Sequence, residues 1–161
     1  MSKTGRSGTD QNKLPSARAG GFLIARVHYL ADRLFARKLK EYGIKDLNPA
    51  QGRIMFVLWR SNDISMQELA RQTSLGKSTL TSMLDRLEAA GHLNRRADSR
   101  DRRSLLVSAR EMTTEEQQLY AAVSREMTGK FYDGLSEAEI DQFERTLAHI
   151  LNNLDPDSSG V

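Results

Sequence analysis

Between positions 95 and 103 the chain places five arginines in nine residues, Arg95, Arg96, Arg100, Arg102 and Arg103, interrupted by Asp98 and Asp101. Guanidinium groups at that density hold phosphate oxygens, and one at the tip of a loop can enter a narrow minor groove, where the potential is most negative. The two aspartates read as internal braces, each pairing with a neighbouring arginine to hold the loop in shape. Just upstream, Ser78, Ser82, Asp85 and Ala89 fall on the side of a helical repeat opposite Leu80, Met83, Leu84 and Leu87, flanked by Lys77, Thr81 and Arg86. Small hydroxyls allow close approach and can bond bases or phosphates. Lys77 and the first amides of such a helix favour phosphate oxygens, and Arg86 can reach a phosphate or a guanine edge. Asp85 opposes this reading unless it pairs with a nearby arginine or accepts from a cytosine amine. A solvated helix face followed by a flexible basic loop is the plain alternative.

Other chemistries find little support. There is no cysteine, which removes disulfides, thiolate metal sites and thiol redox sensing. His28, His92 and His149 lie far apart, without the spacing of metal ligands, so no metal and no cofactor is expected. Gly76-Lys77-Ser78 resembles the end of a phosphate-binding loop. That motif needs a further glycine five positions earlier, where Arg71 stands, and it follows a strand rather than a helix. No serine, histidine and carboxylate cluster can be argued from spacing, so the chain does not read as an enzyme.

The net charge of +3 conceals a strong asymmetry. Residues 1–20 carry +3, residues 21–91 carry +4 and residues 92–110 carry +4, whereas residues 111–161 carry −8. A basic front implies a polyanionic partner, from which the acidic end would be repelled. No apolar run approaches the length of a membrane span, and the polar N-terminus has no signal-peptide core. A cytoplasmic location without membrane contact is the resulting expectation.

The elements that must position the basic groups are mainly helical. Leu23, Val27, Leu30 and Leu34 set a helical period from Phe22 to Tyr42. Asn48-Pro49 starts a second helix through Ile54, Met55, Leu58 and Trp59 to about Arg60. Ser65-x-x-Glu68 reads as a capping box for a short third helix ending near Thr73. Ser74-Leu75-Gly76 connects it to a fourth, from Lys77 to Ala90, closed by Gly91. Around Leu93, and around Leu105 and Val107, the period changes to that of two short strands flanking the arginine loop. Either Ser108-x-x-Glu111 or Thr113-x-x-Glu116 caps a fifth helix carrying Met112, Leu119, Val123, Met127 and Phe131. Ser136-x-x-Glu139 caps a sixth carrying Ile140, Phe143, Leu147, Ile150 and Leu154. Two helices joined by a short turn and followed by a hairpin describe a winged helix-turn-helix.

The run Leu84-Asp85-Arg86-Leu87-Glu88-Ala89-Ala90-Gly91-His92-Leu93, followed by Arg95-Arg96 and Asp98-Ser99-Arg100-Asp101-Arg102-Arg103, resembles the signature of the MarR family. Leu69-Ala70 and Gly76-Lys77-Ser78-Thr79-Leu80 match the helix-turn-helix of the same family. The likeness covers residues 22–154 in element order and is most specific over 65–107. It implies a homodimer held by the first, fifth and sixth helices, with the fourth helix in the major groove. It also implies that Arg102, after the second wing aspartate, reaches the minor groove. Two departures stand out. Ala109-Arg110 replaces the usual Leu-Thr, which makes Ser108 a candidate cap, and His92 replaces a more usual apolar residue. The resemblance further implies a small aromatic or lipophilic effector between the dimerisation and DNA-binding regions, where His28, Tyr29, Phe56 and Trp59 are candidate lining residues. Core or interface packing is the competing role for those four.

The expected organisation is therefore a disordered basic tail (1–20), an N-terminal dimerisation helix (21–47) and a winged helix-turn-helix (48–110). C-terminal dimerisation helices (111–154) and a frayed tail (155–161) follow. The expected function is sequence-specific binding of double-stranded DNA by a homodimer on a pseudo-palindromic operator, as a repressor. A winged-helix module for protein or RNA binding without operator specificity is the alternative.

Overall fold

The computed structural model describes residues 18–61, 63–101 and 103–155. Most of the basic N-terminal tail, Arg102 and nearly all of the C-terminal tail lie outside the described residues. Helices α1 (Gly20–Glu41) and α2 (Pro49–Arg60) lead into strand β1 (Ile64–Ser65) and helices α3 (Met66–Thr73) and α4 (Lys77–Ala89). Strands β2 (Leu93–Ala97) and β3 (Leu105–Ala109) then precede helices α5 (Thr114–Phe131) and α6 (Glu137–Leu154). The fold is mainly helical, with a small antiparallel sheet in the order β1-β3-β2.

Local chemistry sets most boundaries. Asn48 accepts from the Gln51 amide at 2.9 Å and Gln51 returns the bond at 3.1 Å, with Pro49 in the first turn of α2. Thr113 with Glu116, and Ser136 with Glu139, form the same reciprocal box at α5 and α6. Thr113 is thus the cap of α5, while Ser108 lies within β3 paired with Asn94. At α3 the expected box is only half made. Ser65 Oγ accepts from the Glu68 amide, but the Glu68 carboxylate turns to Arg71 and Gln72. Those partners hold its pKa down to about 2. Gly91, at φ +78°, takes the left-handed position that stops α4 and starts the turn into β2. Ser74, at φ +52°, does the same after α3 without the help of a missing Cβ.

Two strands were expected and three are found. Ile64 pairs with Val107 and Ser65 with Leu106, so the segment before α3 forms the third strand of the wing sheet. The fully buried side chains Ile54, Met55, Leu58, Leu69, Leu80, Leu84, Leu87, Leu93 and Val107 come from α2, α3, α4, β2 and β3. One core therefore welds the helix-turn-helix to its wing. The flanking helices differ. Leu39 alone is buried on α1 and nothing is buried on α6, although both are strongly amphipathic. No helix among the described residues is long and apolar enough to cross a membrane.

Candidate nucleic-acid interface

Burial of Leu80, Leu84 and Leu87 turns the opposite side of α4 outward, and there Lys77, Ser78, Ser82 and Arg86 are exposed. The N-cap is Gly76, whose lack of a side chain leaves the first-turn amides of α4 uncapped. Neither Lys77 nor Arg86 has an ion-pair partner among the described residues. Thr81 behaves differently from the two serines. It is half-buried and its hydroxyl donates to the Lys77 carbonyl at 2.8 Å, so it faces its own helix first.

The arginine run divides by position. Arg95 and Arg96, on β2, are committed to carboxylates. Arg95 reaches Glu88 through Nε (3.0 Å) and Nη2 (2.5 Å) and Asp85 through Nη2 (2.7 Å). This holds the Glu88 carboxyl below its ordinary range, chiefly through the Arg95 hydrogen bonds. Arg96 holds Asp63 at 2.6 Å, tying β2 to the turn before β1. Arg100 and Arg103, at the hairpin tip, are exposed and have no carboxylate partner among the described residues. Arg102 lies outside the described residues.

The brace of the tip is not the expected one. Asp98 accepts from the Arg100 backbone amide at 2.9 Å and Asp101 from the Arg103 backbone amide at 3.0 Å. Both aspartates therefore brace the loop by closing turns on main-chain N–H groups and not on the Arg100 or Arg103 side chains. The reason is reach: an aspartate two residues before an amide closes such a turn within its own short side chain. Ser104 completes the tip by donating to the Asp101 carbonyl and accepting from Asp98.

The wing base meets the long helices at His92. Its Nε2 lies 2.7 Å from Asp46, in the connection between α1 and α2, and its side chain is only 11% exposed. Arg110 reaches the Gly91 carbonyl and Glu116 of α5. The polar residue that departs from the resemblance is thus a junction contact between elements distant in sequence.

Beside this junction α1, α2, α3 and α5 enclose an open, largely apolar cleft of about 780 Å³. Of the four candidate lining residues, Phe56 and Trp59 border it. His28 and Tyr29 do not. His28 stands 3.8 Å from Asp32 with its ring mostly exposed, and Tyr29 packs under Arg33. The face of α1 that borders the cleft lies just beyond them, at Ala31, Asp32 and Phe35. Sequence reasoning also missed Arg53, which holds Asp32 at 3.1 Å, and Tyr120, whose ring lies 4.9 Å from that of Trp59. Phe35 falls in register with Asp32 on α1, a helical spacing that could have pointed to it. For Tyr120 no local signal exists.

A family model for the MarR family matches residues 47–105, from just before α2 to the first residue of β3. The HTH-type transcriptional repressor IacR of Pseudomonas putida is 25% identical over 134 residues, covering 83% of this chain and 78% of that protein. The transcriptional activatory protein BadR of Rhodopseudomonas palustris is 27% identical over 137 residues, covering 83% of this chain and 77% of that protein. Among solved structures, a mutant MarR from E. coli complexed with operator DNA is similar with a TM-score of 0.66 and 27% identity. That match covers 81% of this chain and 92% of the other.

Proposed function

We propose that the chain is a DNA-binding transcriptional regulator of the MarR family rather than an enzyme, and that it acts in the cytoplasm as a homodimeric repressor on a pseudo-palindromic operator, released by a small aromatic or lipophilic ligand. The observation that carries this reading is the pairing of an outward, uncapped, hydroxyl-bearing α4 with a braced hairpin whose Arg100 and Arg103 have no carboxylate partner among the described residues. Each α4 enters a major groove, where Ser78 and Ser82 meet base edges while Lys77 and Arg86 hold phosphates. Arg100, Arg102 and Arg103 follow the backbone into the adjacent minor groove.

The second copy is supported by what the single chain leaves uncovered. Phe22, Leu23, Ile24, Val27 and Leu30 on α1 are 43–64% exposed, and Phe143, Leu151 and Leu154 on α6 are also exposed. Contiguous apolar helix faces of this kind need a partner. A two-fold dimer covers them and sets two recognition helices about one DNA turn, roughly 34 Å, apart. The cleft supports an effector whose bulk spreads α1, α2 and α5 and so changes that distance.

Selection of bound sequences from random duplex DNA tests the reading. An enriched inverted repeat is the expected result, and no enrichment would favour the protein- or RNA-binding module. Sedimentation at micromolar concentration should give a dimer, and a clean monomer would contradict the architecture. The relatives carry both signs, a repressor and an activatory protein, so a reporter decides: expression that rises when the regulator is deleted supports repression, and a reporter that falls silent reverses the sign.

A further inference from the structure

The recognition helix carries two carboxylates on or beside the side that meets DNA. Asp85 follows Ser78 and Ser82 along the outward side of α4 and keeps 58% of its side chain exposed, and Glu88 lies one turn further on with 37% exposed. Uncompensated, both would repel the phosphates that Lys77 and Arg86 attract. They are not uncompensated. One guanidinium, that of Arg95, touches both, while its own side chain is only 20% exposed between α4 and β2. The Arg95 backbone amide adds a bond to Glu88 at 3.1 Å, so the cation is held where the two acids converge.

We propose that Arg95 does not contact DNA but is a positioning residue that offsets half of the combined charge of Asp85 and Glu88, allowing an acid-bearing helix to lie in the groove. This rests on the DNA-binding reading above and deepens it. Within the arginine run, the tip residues Arg100 and Arg103 act outward and Arg95 acts inward. The division follows from which carboxylates lie within reach of each side chain. Arg96 provides the comparison. Its carboxylate, Asp63, lies before β1 and away from α4, so losing that pair leaves the charge of the recognition helix unchanged.

The test is a cycle read by binding to a random-sequence duplex, where affinity is almost wholly electrostatic. Arg95→Met should weaken binding roughly fivefold to tenfold at low salt, the scale of one further net negative charge beside phosphates. The same substitution in an Asp85→Asn, Glu88→Gln background should cost less than about twofold. Neutral amide partners cannot rebuild the ion pairs, so a triple variant that binds at least as tightly as the unsubstituted protein identifies charge offset, whereas a merely structural role would leave it as weak as Arg95→Met. Thermal midpoints of all four proteins separate misfolding from masking, and Arg96→Met, with a smaller loss than Arg95→Met, serves as the neighbouring control. Equal losses from Arg95→Met in both backgrounds would overturn the proposal and make Arg95 a direct contact or a scaffold. Failure of the unsubstituted protein to bind the duplex would instead overturn the DNA-binding reading itself, and this proposal with it.

Discussion

Gly52 is buried near the start of α2, and its replacement by alanine sets two effects against each other. Helix propensity favours alanine by up to about 1 kcal/mol. Packing opposes it, because a Cβ at position 52 would stand 2.8 Å from Phe35 Cζ and closer still to Cε1. The ring must retreat by more than an ångström at Cε1 to restore ordinary contact, and it borders the cleft between α1 and α2. Overpacking of this kind costs about 1–3 kcal/mol. The expected net result for Gly52→Ala is a loss of about 1 kcal/mol, seen as a fall of roughly 2–4 °C in the thermal midpoint. Urea and thermal unfolding must be compared at one protein concentration, since a second copy would couple stability to concentration. In a Phe35→Leu background the obstruction is smaller, and Gly52→Ala should become neutral or favourable. A gain of about 1 kcal/mol from Gly52→Ala alone would show propensity unopposed, and the packing of Phe35 on α2 would be refuted.

Arg100→Ala, Arg102→Ala and Arg103→Ala should each lower affinity and reduce the salt dependence of binding by about one unit of slope wherever the side chain neutralises a phosphate. Unchanged affinity and slope for all three would remove the wing from the interface. Ser78→Ala and Ser82→Ala should change base preference more than affinity for random duplex, and a uniform loss would demote them to phosphate contacts. Leu84→Ala, at the fully buried centre of α4, should destabilise by about 2–5 kcal/mol in chemical unfolding; a change under 1 kcal/mol would contradict the single core. Because Arg71 and Gln72 depress the Glu68 carboxyl, its stabilisation of α3 is complete above the ordinary carboxylate range and disappears as pH falls through about 2. A carboxyl-carbon titration by NMR with a midpoint near 4 would show that the Glu68–Arg71 pair is not held.

Relations within one turn of helix are legible in the sequence itself. Asn48 with Gln51, Thr113 with Glu116, and Ser136 with Glu139 are three-residue capping relations, and the Leu80–Leu87 stripe needs only the helical period to predict a buried side. Ser65 shows the limit of that rule, since Glu68 fits the pattern but finds a cationic partner in Arg71 instead. The cleft is legible only in part. Periodicity identifies the sides of α1 but not the angle at which it meets α2 and α5, so it points to His28 and Tyr29 where Asp32 and Phe35 stand.

For the arginine run itself, the sequence determined the count, the loop and the need for braces, because composition and turn chemistry act over a few residues. The tertiary structure decided which arginines are available. Arg95 and Arg96 lie on a strand that folds back within reach of Asp85, Glu88 and Asp63, ten, seven and thirty-three positions away, and there they are neutralised. Strand β1 has the same origin: two residues become a strand only when Val107 and Leu106 arrive beside them. Long-range closure creates such contacts, and nothing local in the chain encodes the partner on the other side.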